Sequence, residues 1–246
     1  MRAVILAAGL GTRLRAVIDD RPKGLIEIDG ESIVGRSVRL LRGARINHIT
    51  IVAGYRAHWY DRFAAGQPDI DVLRNDDFAT TGSMASLAVA LDRAAGDVLV
   101  LESDIVYEQR ALAALLDSAA DATVISDRTG AGDEVWVYAP EGRLHTMSKA
   151  PHELPGITGE FVGITRLSPS AAAAMLHAYH AFVGAYDHGR MNYETDALVA
   201  VARLFPIATV HVPGLCWGEI DDERQYQRVV EHVWPAVGNQ LPPVVS

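Results

Sequence analysis

Residues 3–14 read Ala3-Val4-Ile5-Leu6-Ala7-Ala8-Gly9-Leu10-Gly11-Thr12-Arg13-Leu14, with Arg21-Pro22-Lys23 close behind. A short, continuously apolar run such as Ala3 to Ala7, closed by a glycine-rich turn, is how a central parallel strand reads, because that strand is buried on both faces. Glycines at its end let backbone N–H groups approach anionic oxygens without interference from a Cβ. Arg13 adds a planar fork of donors suited to phosphate, and Lys23 adds a compact cation. Two other glycine-rich readings fail. A dinucleotide fingerprint needs glycine where Leu14 stands, and a P-loop needs Gly-Lys followed by Ser or Thr. Taken alone, the pattern also describes a glycine turn with solvated basic residues.

Outward from this stretch, apolar strands alternate with helical periodicity. Ile33 to Arg42 is helical, His48 to Val52 a strand, Ile70 to Leu73 a short strand and Met84 to Ala95 helical. Val98 to Leu101 is a strand ending in Glu102-Ser103-Asp104; Ala111 to Ala119 is helical and Ala122 to Ser126 a strand. Such alternation implies βαβ units and a mainly parallel sheet. The second half differs: Glu134 to Tyr138, Leu144 to Ser148 and Glu160 to Leu167 alternate like a mixed or antiparallel sheet. Helices are expected at Pro169 to Phe182 and Glu194 to Leu204, then a strand at Ala208 to Val212. The fold class expected is α/β, a Rossmann-like, mainly parallel sheet flanked by helices, with a small mixed-sheet lobe. Residues 1–237 are expected as one domain, divided near residue 130, with 238–246 a loose Pro-rich tail.

Composition narrows the function. The chain of 246 residues is 49% hydrophobic, ample for a core, and its formal charge of −9 lacks the footprint of a nucleic-acid binder. The single cysteine, Cys216, excludes a disulfide framework and a Cys-based zinc site and suits a reducing cytoplasm. No apolar run approaches the roughly 18 residues of a membrane helix. The expectation is a cytoplasmic protein with neither membrane nor nucleic acid as partner, and a homodimer is compatible with it.

The segment from Leu6 through Lys23 resembles the signature of the sugar nucleotidyltransferases. Asn75-Asp76-Asp77-Phe78-Ala79-Thr80-Thr81-Gly82-Ser83-Met84-Ala85-Ser86-Leu87 is similar to the base-recognising segment of their phosphocholine and phosphonate cytidylyltransferase branch. Leu101-Glu102-Ser103-Asp104, Gly159-Glu160-Phe161-Val162-Gly163-Ile164 and Trp217-Gly218-Glu219-Ile220-Asp221-Asp222 resemble the same branch. Where that branch commonly has a pair of Asn, an apolar residue and a Tyr, this chain has Gly82, Ser83, Met84 and Ala85.

The resemblance implies CTP as co-substrate, a small phosphonate or phosphorylated acceptor, and Mg²⁺ as helper, with Mn²⁺ as an alternative. Residues 1–130 would hold the nucleotide and 131–237 the acceptor. The nucleotide set is then Leu6, Ala7, Ala8, Gly9, Gly11, Thr12, Arg13 and Lys23, with Thr81, Gly82, Ser83 and Ser86. Arg13, Lys23 and Lys149 form the catalytic set, and Asp104 and Asp221 hold the metal. Asp104 also qualifies by position, since ligands collect beyond the carboxyl ends of strands in open sheets. Glu102, Glu219 and Asp222 read as supporting or surface acids. Lys149 faces the acceptor's phosphoryl group in the resemblance. Glu160 reads equally as an acceptor contact or a strand-end acid, and His188 and Arg190 as a closure over a small anion or an ordinary loop. Small residues at 82, 83 and 85 together with Lys149, His188 and Arg190 lead to the expectation of an anionic or hydroxylated phosphonate rather than a choline-type acceptor. The rival enzyme is a sugar-1-phosphate nucleotidyltransferase of other base preference. The rival from another class is a catalytically silent nucleotide sensor.

Overall fold

The structure is a computed structural model that describes residues 1–14, 20–118, 121–132 and 134–237. The expected tail, 238–246, lies outside the described residues. In chain order the strands are β1 (Arg2–Ala7), β2 (Glu27–Ile28), β3 (Glu31–Ser32), β4 (Ile49–Ala53), β5 (Ile70–Arg74), β6 (Val98–Glu102), β7 (Ile105–Tyr107) and β8 (Ala122–Ser126). They continue with β9 (Trp136–Tyr138), β10 (Thr146–Ser148), β11 (Gly159–Leu167), β12 (Ala208–Val212) and β13 (Trp217–Glu219). The helices are α1 (Ile33–Gly43), α2 (His58–Ala64), α3 (Ser83–Leu91), α4 (Gln109–Leu116), α5 (Pro169–Tyr186), α6 (Val199–Ala202), α7 (Glu223–Arg228) and α8 (Trp234–Val237).

Strands β5, β4, β1 and β6 lie side by side and parallel; β4, β1 and β6 are the apolar, buried ones and β5, with Asp71 and Arg74, is the edge. Successive residues then face opposite layers. Ala3, Ile5, Leu99 and Leu101 join a core with Val34 and Val38 of α1 and Leu112 of α4. Val4, Val98 and Val100 join a second core with Met84 and Leu87 of α3 and Met175 of α5. Strand β11 extends the sheet antiparallel to β6, and β8 follows with β12 parallel to it. The short β9 and β10 attach at the start of β11, so strands from both halves of the chain share one sheet.

Local chemistry sets the helix starts. Ser32 Oγ accepts the Gly35 amide at 3.0 Å before α1, and Ser168 Oγ accepts the Ala171 amide at 3.2 Å before α5, where Pro169 fills the first turn. Strand β13 pairs antiparallel with β7, opposing Glu219 to Ile105, and the Ile220 amide donates to Asp104 O at 3.0 Å. That pairing carries the end of the chain to the carboxyl end of β6. Among the described residues no helix is long and apolar enough to cross a membrane.

Candidate active site

One cleft opens at the carboxyl ends of β1 and β6, with a volume of about 410 Å³. Leu6, Ala7, Ala8, Gly9, Gly11, Arg13, Lys23, Thr81, Gly82, Ser83, Ser86, Asp104, Lys149, Glu160 and Asp221 all line it. The Thr12 side chain lies outside the described residues. His188 and Arg190 are not among the lining residues. Arg190 Nε donates to Thr80 O at 3.3 Å, and the His188 ring packs against Phe182 and Tyr186.

The loop after β1 meets the cleft with little protein beside it. A Cβ built on Gly9 would touch nothing within 4 Å, so packing does not demand glycine there. Gly11 has φ +57°, the left-handed region that glycine enters at no steric cost. Pro22 sets the turn that follows, in which the Leu25 amide donates to Pro22 O at 2.9 Å. Gly24 sits in that turn against the strand end: a Cβ would lie 2.8 Å from Tyr60 Oη and 3.0 Å from Ser103 O. The close approach holds Lys23 beside Asp104.

Lys23 Nζ forms ion pairs with Asp104 Oδ2 and Asp221 Oδ1. Arg13 Nη2 reaches Asp221 Oδ2 at 2.8 Å. Burial alone would lower the pKa of Lys23. The carboxylates of Asp104, Asp221 and Glu219 outweigh burial and raise it above the ordinary lysine value. Burial pushes the Asp221 carboxyl up, but Lys23 and then Arg13 hold it well below the usual range. Glu102 and Glu219 are pushed well above the ordinary glutamate value by burial and by the Asp104 charge beside them. Asp221 is further fixed by α7, for its amide donates to Gln225 Oε1 at 2.6 Å.

The donor set fits a divalent ion. Glu102, Asp104 and Glu219 each bring a carboxylate oxygen within 4.8 Å of the others, and Asp104 Oδ1 is buried without a hydrogen-bond partner. Oxygen-only donors of concentrated negative charge suit Mg²⁺, which completes its shell with substrate oxygens and water. Glu102 and Glu219, which the sequence leaves as supporting or surface acids, join Asp104 in this cluster. The signal for Glu219 was its β-pairing with the strand after Asp104, which motif spacing does not encode.

The segment from Asn75 to Ser86 is ordered from within. Asn75 is buried and donates to Thr81 Oγ1 at 3.1 Å and Ser86 Oγ at 3.0 Å. The backbone of residues 189–193 fills the space that small side chains at 82 and 83 leave. The Gly82 amide donates to Gly189 O at 2.8 Å and the Met84 amide to Met191 O at 3.0 Å. Ser83 Oγ accepts the Tyr193 amide at 2.9 Å and donates to Glu194 Oε2 at 3.2 Å. Tyr193 opens a π turn, Tyr193–Leu198, in which the Ala197 amide reaches Asn192 O at 3.1 Å. Such widened turns often mark functional sites.

The part of the lining drawn from residues 131–237 is acidic and aromatic. It carries Glu134, Glu160 and Glu194 with Phe161, Tyr193 and Trp217, and Lys149 is its single cation among the described residues. Both oxygens of Glu160 are engaged, by the Thr129 amide at 2.8 Å and Thr129 Oγ1 at 2.9 Å. Burial raises the pKa of Glu194. Trp217 is tied by Nε1 to Ser126 Oγ at 2.8 Å and packs in the core while lining the cleft.

The sequence pattern of the MobA-like NTP transferase domain matches residues 3–192. The chain belongs to this family. Among curated relatives, it is 31% identical over 131 residues to CMP-5'-(3-aminopropyl)phosphonate synthase of Streptomyces rubellomurinus, covering 52% of this chain and 21% of that protein. It is 30% identical over 100 residues to choline-phosphate cytidylyltransferase of Streptococcus pneumoniae, covering 41% and 43%. The matches therefore span less than half the length of these two relatives. A longer match, 22% identical over 243 residues, is to CTP:phosphoglutamine cytidylyltransferase of Campylobacter jejuni and covers 90% and 96%. The solved inositol-1-phosphate CTP transferase of T. maritima shares the fold with a TM-score of 0.77 at 15% identity, over 96% of this chain and 97% of that one. Residues 3–192 thus carry a domain of the NTP transferase type.

Proposed function

We propose that the protein transfers CMP from CTP to a small phosphonate or phosphorylated acceptor and releases pyrophosphate. The observation that carries this reading is the convergence of Gly9, Gly11, Arg13, Lys23, Asp104, Asp221 and Lys149 in one cleft. The names of the three relatives support CTP as donor. In this reading residues 1–130 serve the nucleotide and 131–237 the acceptor.

The acceptor arrives with an ionised phosphoryl oxygen, so no general base is needed and catalysis rests on alignment and charge. The Gly9–Gly11 backbone takes the triphosphate. Arg13 steadies the departing pyrophosphate, and Lys23 steadies the α-phosphate as charge develops on it. Lys149 orients the acceptor oxygen toward the α-phosphorus, opposite the leaving group. Asp104 and Asp221, with Glu102 and Glu219 beside them, would hold Mg²⁺. When bound it neutralises phosphate charge as a Lewis acid.

The acidic and aromatic lining supports an acceptor whose far end is a cationic amine. Glu134 and Glu194 provide charge, while Phe161, Tyr193 and Trp217 provide rings of the kind that receive ammonium groups. The sequence alone leads instead to an anionic acceptor. The test is kcat/KM with CTP for phosphocholine, 2-aminoethylphosphonate and a carboxylated phosphonate. The amine-bearing acceptors should lead by about tenfold or more. A lead for the carboxylated compound would overturn the assignment of the amine end.

A further inference from the structure

Lys23 is paired to one member of the carboxylate cluster that suits a metal, Asp104, and to Asp221, which lies outside that cluster. Its Nζ pairs with Asp104 Oδ2 and Asp221 Oδ1, and the three side chains are only 14–15% exposed. Arg13 takes the second oxygen of Asp221. Of the oxygens on these two aspartates, Asp104 Oδ1 alone lacks a partner. A divalent ion approaching Asp104 and Asp221 therefore meets an ammonium already seated between them. Two cations so close, with little water between, repel strongly.

The lysine cannot retreat with its backbone. Gly24 is pressed against Tyr60 Oη and Ser103 O, and Pro22 fixes the turn before it. Only the side chain can swing, and a buried ammonium leaves two carboxylates only when another anion receives it. The α-phosphate of a nucleoside triphosphate is such an anion, delivered to the same cleft.

We propose that Lys23 is the resident counter-ion of the metal site, so that divalent metal and nucleoside triphosphate enter together and metal alone is held off. This rests on the nucleotidyltransferase reading and assigns Lys23 a task before the chemistry begins. In the nucleotide-free protein it neutralises Asp104 and Asp221. On loading, it exchanges them for phosphate, and the vacated oxygens become available to metal in the same event.

The test is Mn²⁺ binding to the nucleotide-free protein, read from the electron paramagnetic resonance of free Mn²⁺. Wild type should bind weakly. Lys23→Met keeps the length of the side chain without its charge, and should bind Mn²⁺ about tenfold tighter or more, the usual scale for removing a close charge pair. Lys23→Arg should behave as wild type. Adding Asp104→Asn to Lys23→Met should abolish the gain. Lys23→Met binding no tighter than wild type would overturn the proposal. Should Lys23→Met fail to fold, the wild-type protein carrying ¹⁵N-lysine decides the matter. The Lys23 ammonium resonance should stay in place when Mg²⁺ is added alone, and move when Mg²⁺ is added with α,β-methylene-CTP. A saturable shift with Mg²⁺ alone would refute the counter-ion role. Failure of the underlying function would show elsewhere, as absence of pyrophosphate release from any triphosphate by wild type.

Discussion

Gly82→Ala adds one methyl group where the backbone of another segment already lies. A Cβ at this position would sit 2.2 Å from Met191 O, 2.6 Å from Met191 C and 2.9 Å from Met191 N, whereas ordinary contact begins at 3.4 Å. The Gly82 backbone itself suits any residue, with φ −90°. The cost is therefore steric, and the three Met191 atoms are main chain that cannot rotate away. Relief requires residues 189–193 to lift from the start of α3. That strains the Gly82–Gly189 and Met84–Met191 hydrogen bonds and the Tyr193 amide bond to Ser83. Overpacking of this kind costs about 1–3 kcal/mol, and each backbone bond lost adds about 1 kcal/mol. A loss near 3 kcal/mol follows, which in a chain of this size lowers Tm by roughly 10 °C. Urea unfolding with an unchanged m-value is the assay, since a shift in midpoint then reports stability alone. Acceptor KM should rise in the same variant, because Tyr193 and Glu194 move with the lifted segment. A stability loss under about 0.5 kcal/mol, the level of an indifferent surface change, would refute the packing of residues 189–193 on Gly82.

Three further outcomes are expected. Gly9→Ala, where a Cβ meets nothing within 4 Å, should leave stability within about 0.5 kcal/mol of wild type yet lower kcat/KM for CTP; unchanged kinetics would remove Gly9 from the phosphate cradle. Lys23→Ala should lower kcat by about a hundredfold, the scale of one lost transition-state contact, and retention of half the activity would strip it of that role. The same variant should lose on the order of a few kcal/mol of stability, because Asp104 and Asp221 are left uncompensated, and Mg²⁺ should return part of it. Chelator should abolish turnover and either Mg²⁺ or Mn²⁺ restore it; full activity in excess chelator would contradict the metal assignment.

The parts of the fold that follow a local rule were legible in the sequence. Strand β1, buried on both faces and closed by Gly9 and Gly11, announces itself by an apolar run and a turn, and β6 does so before Asp104. Ala122 to Ser126, buried throughout, reads equally plainly, and Ala208 to Val212 reads as a strand although only Val212 of it is buried. The helix Met84 to Ala95 was read too long, because Asp92 to Ala95 is helix-compatible in composition but lies beyond the last buried turn at Leu91. Helix α2, with only Tyr60 buried, lacks the periodic stripe that marks a helix, and it was missed. In the candidate site, Arg13, Lys23, Asp104 and Asp221 each sit in a recognisable string, and all four line the cleft. What depends on distant pairing is not legible in such strings. The β7–β13 ladder that brings Glu219 beside Glu102, and the run of residues 189–193 over Gly82, join segments more than 100 residues apart. His188 and Arg190, polar and near a helix start, are expected at the cleft but are not among its lining residues.

The central claim is that this cleft transfers CMP. Initial rates of pyrophosphate release should be measured with CTP, UTP, ATP, GTP and dTTP in turn, each with Mg²⁺ and the same panel of phosphonates, phosphocholine and sugar phosphates. The account predicts that CTP gives the highest kcat/KM with a small phosphonate or phosphocholine acceptor. UTP or dTTP matching or exceeding CTP, above all with a sugar phosphate, would contradict it.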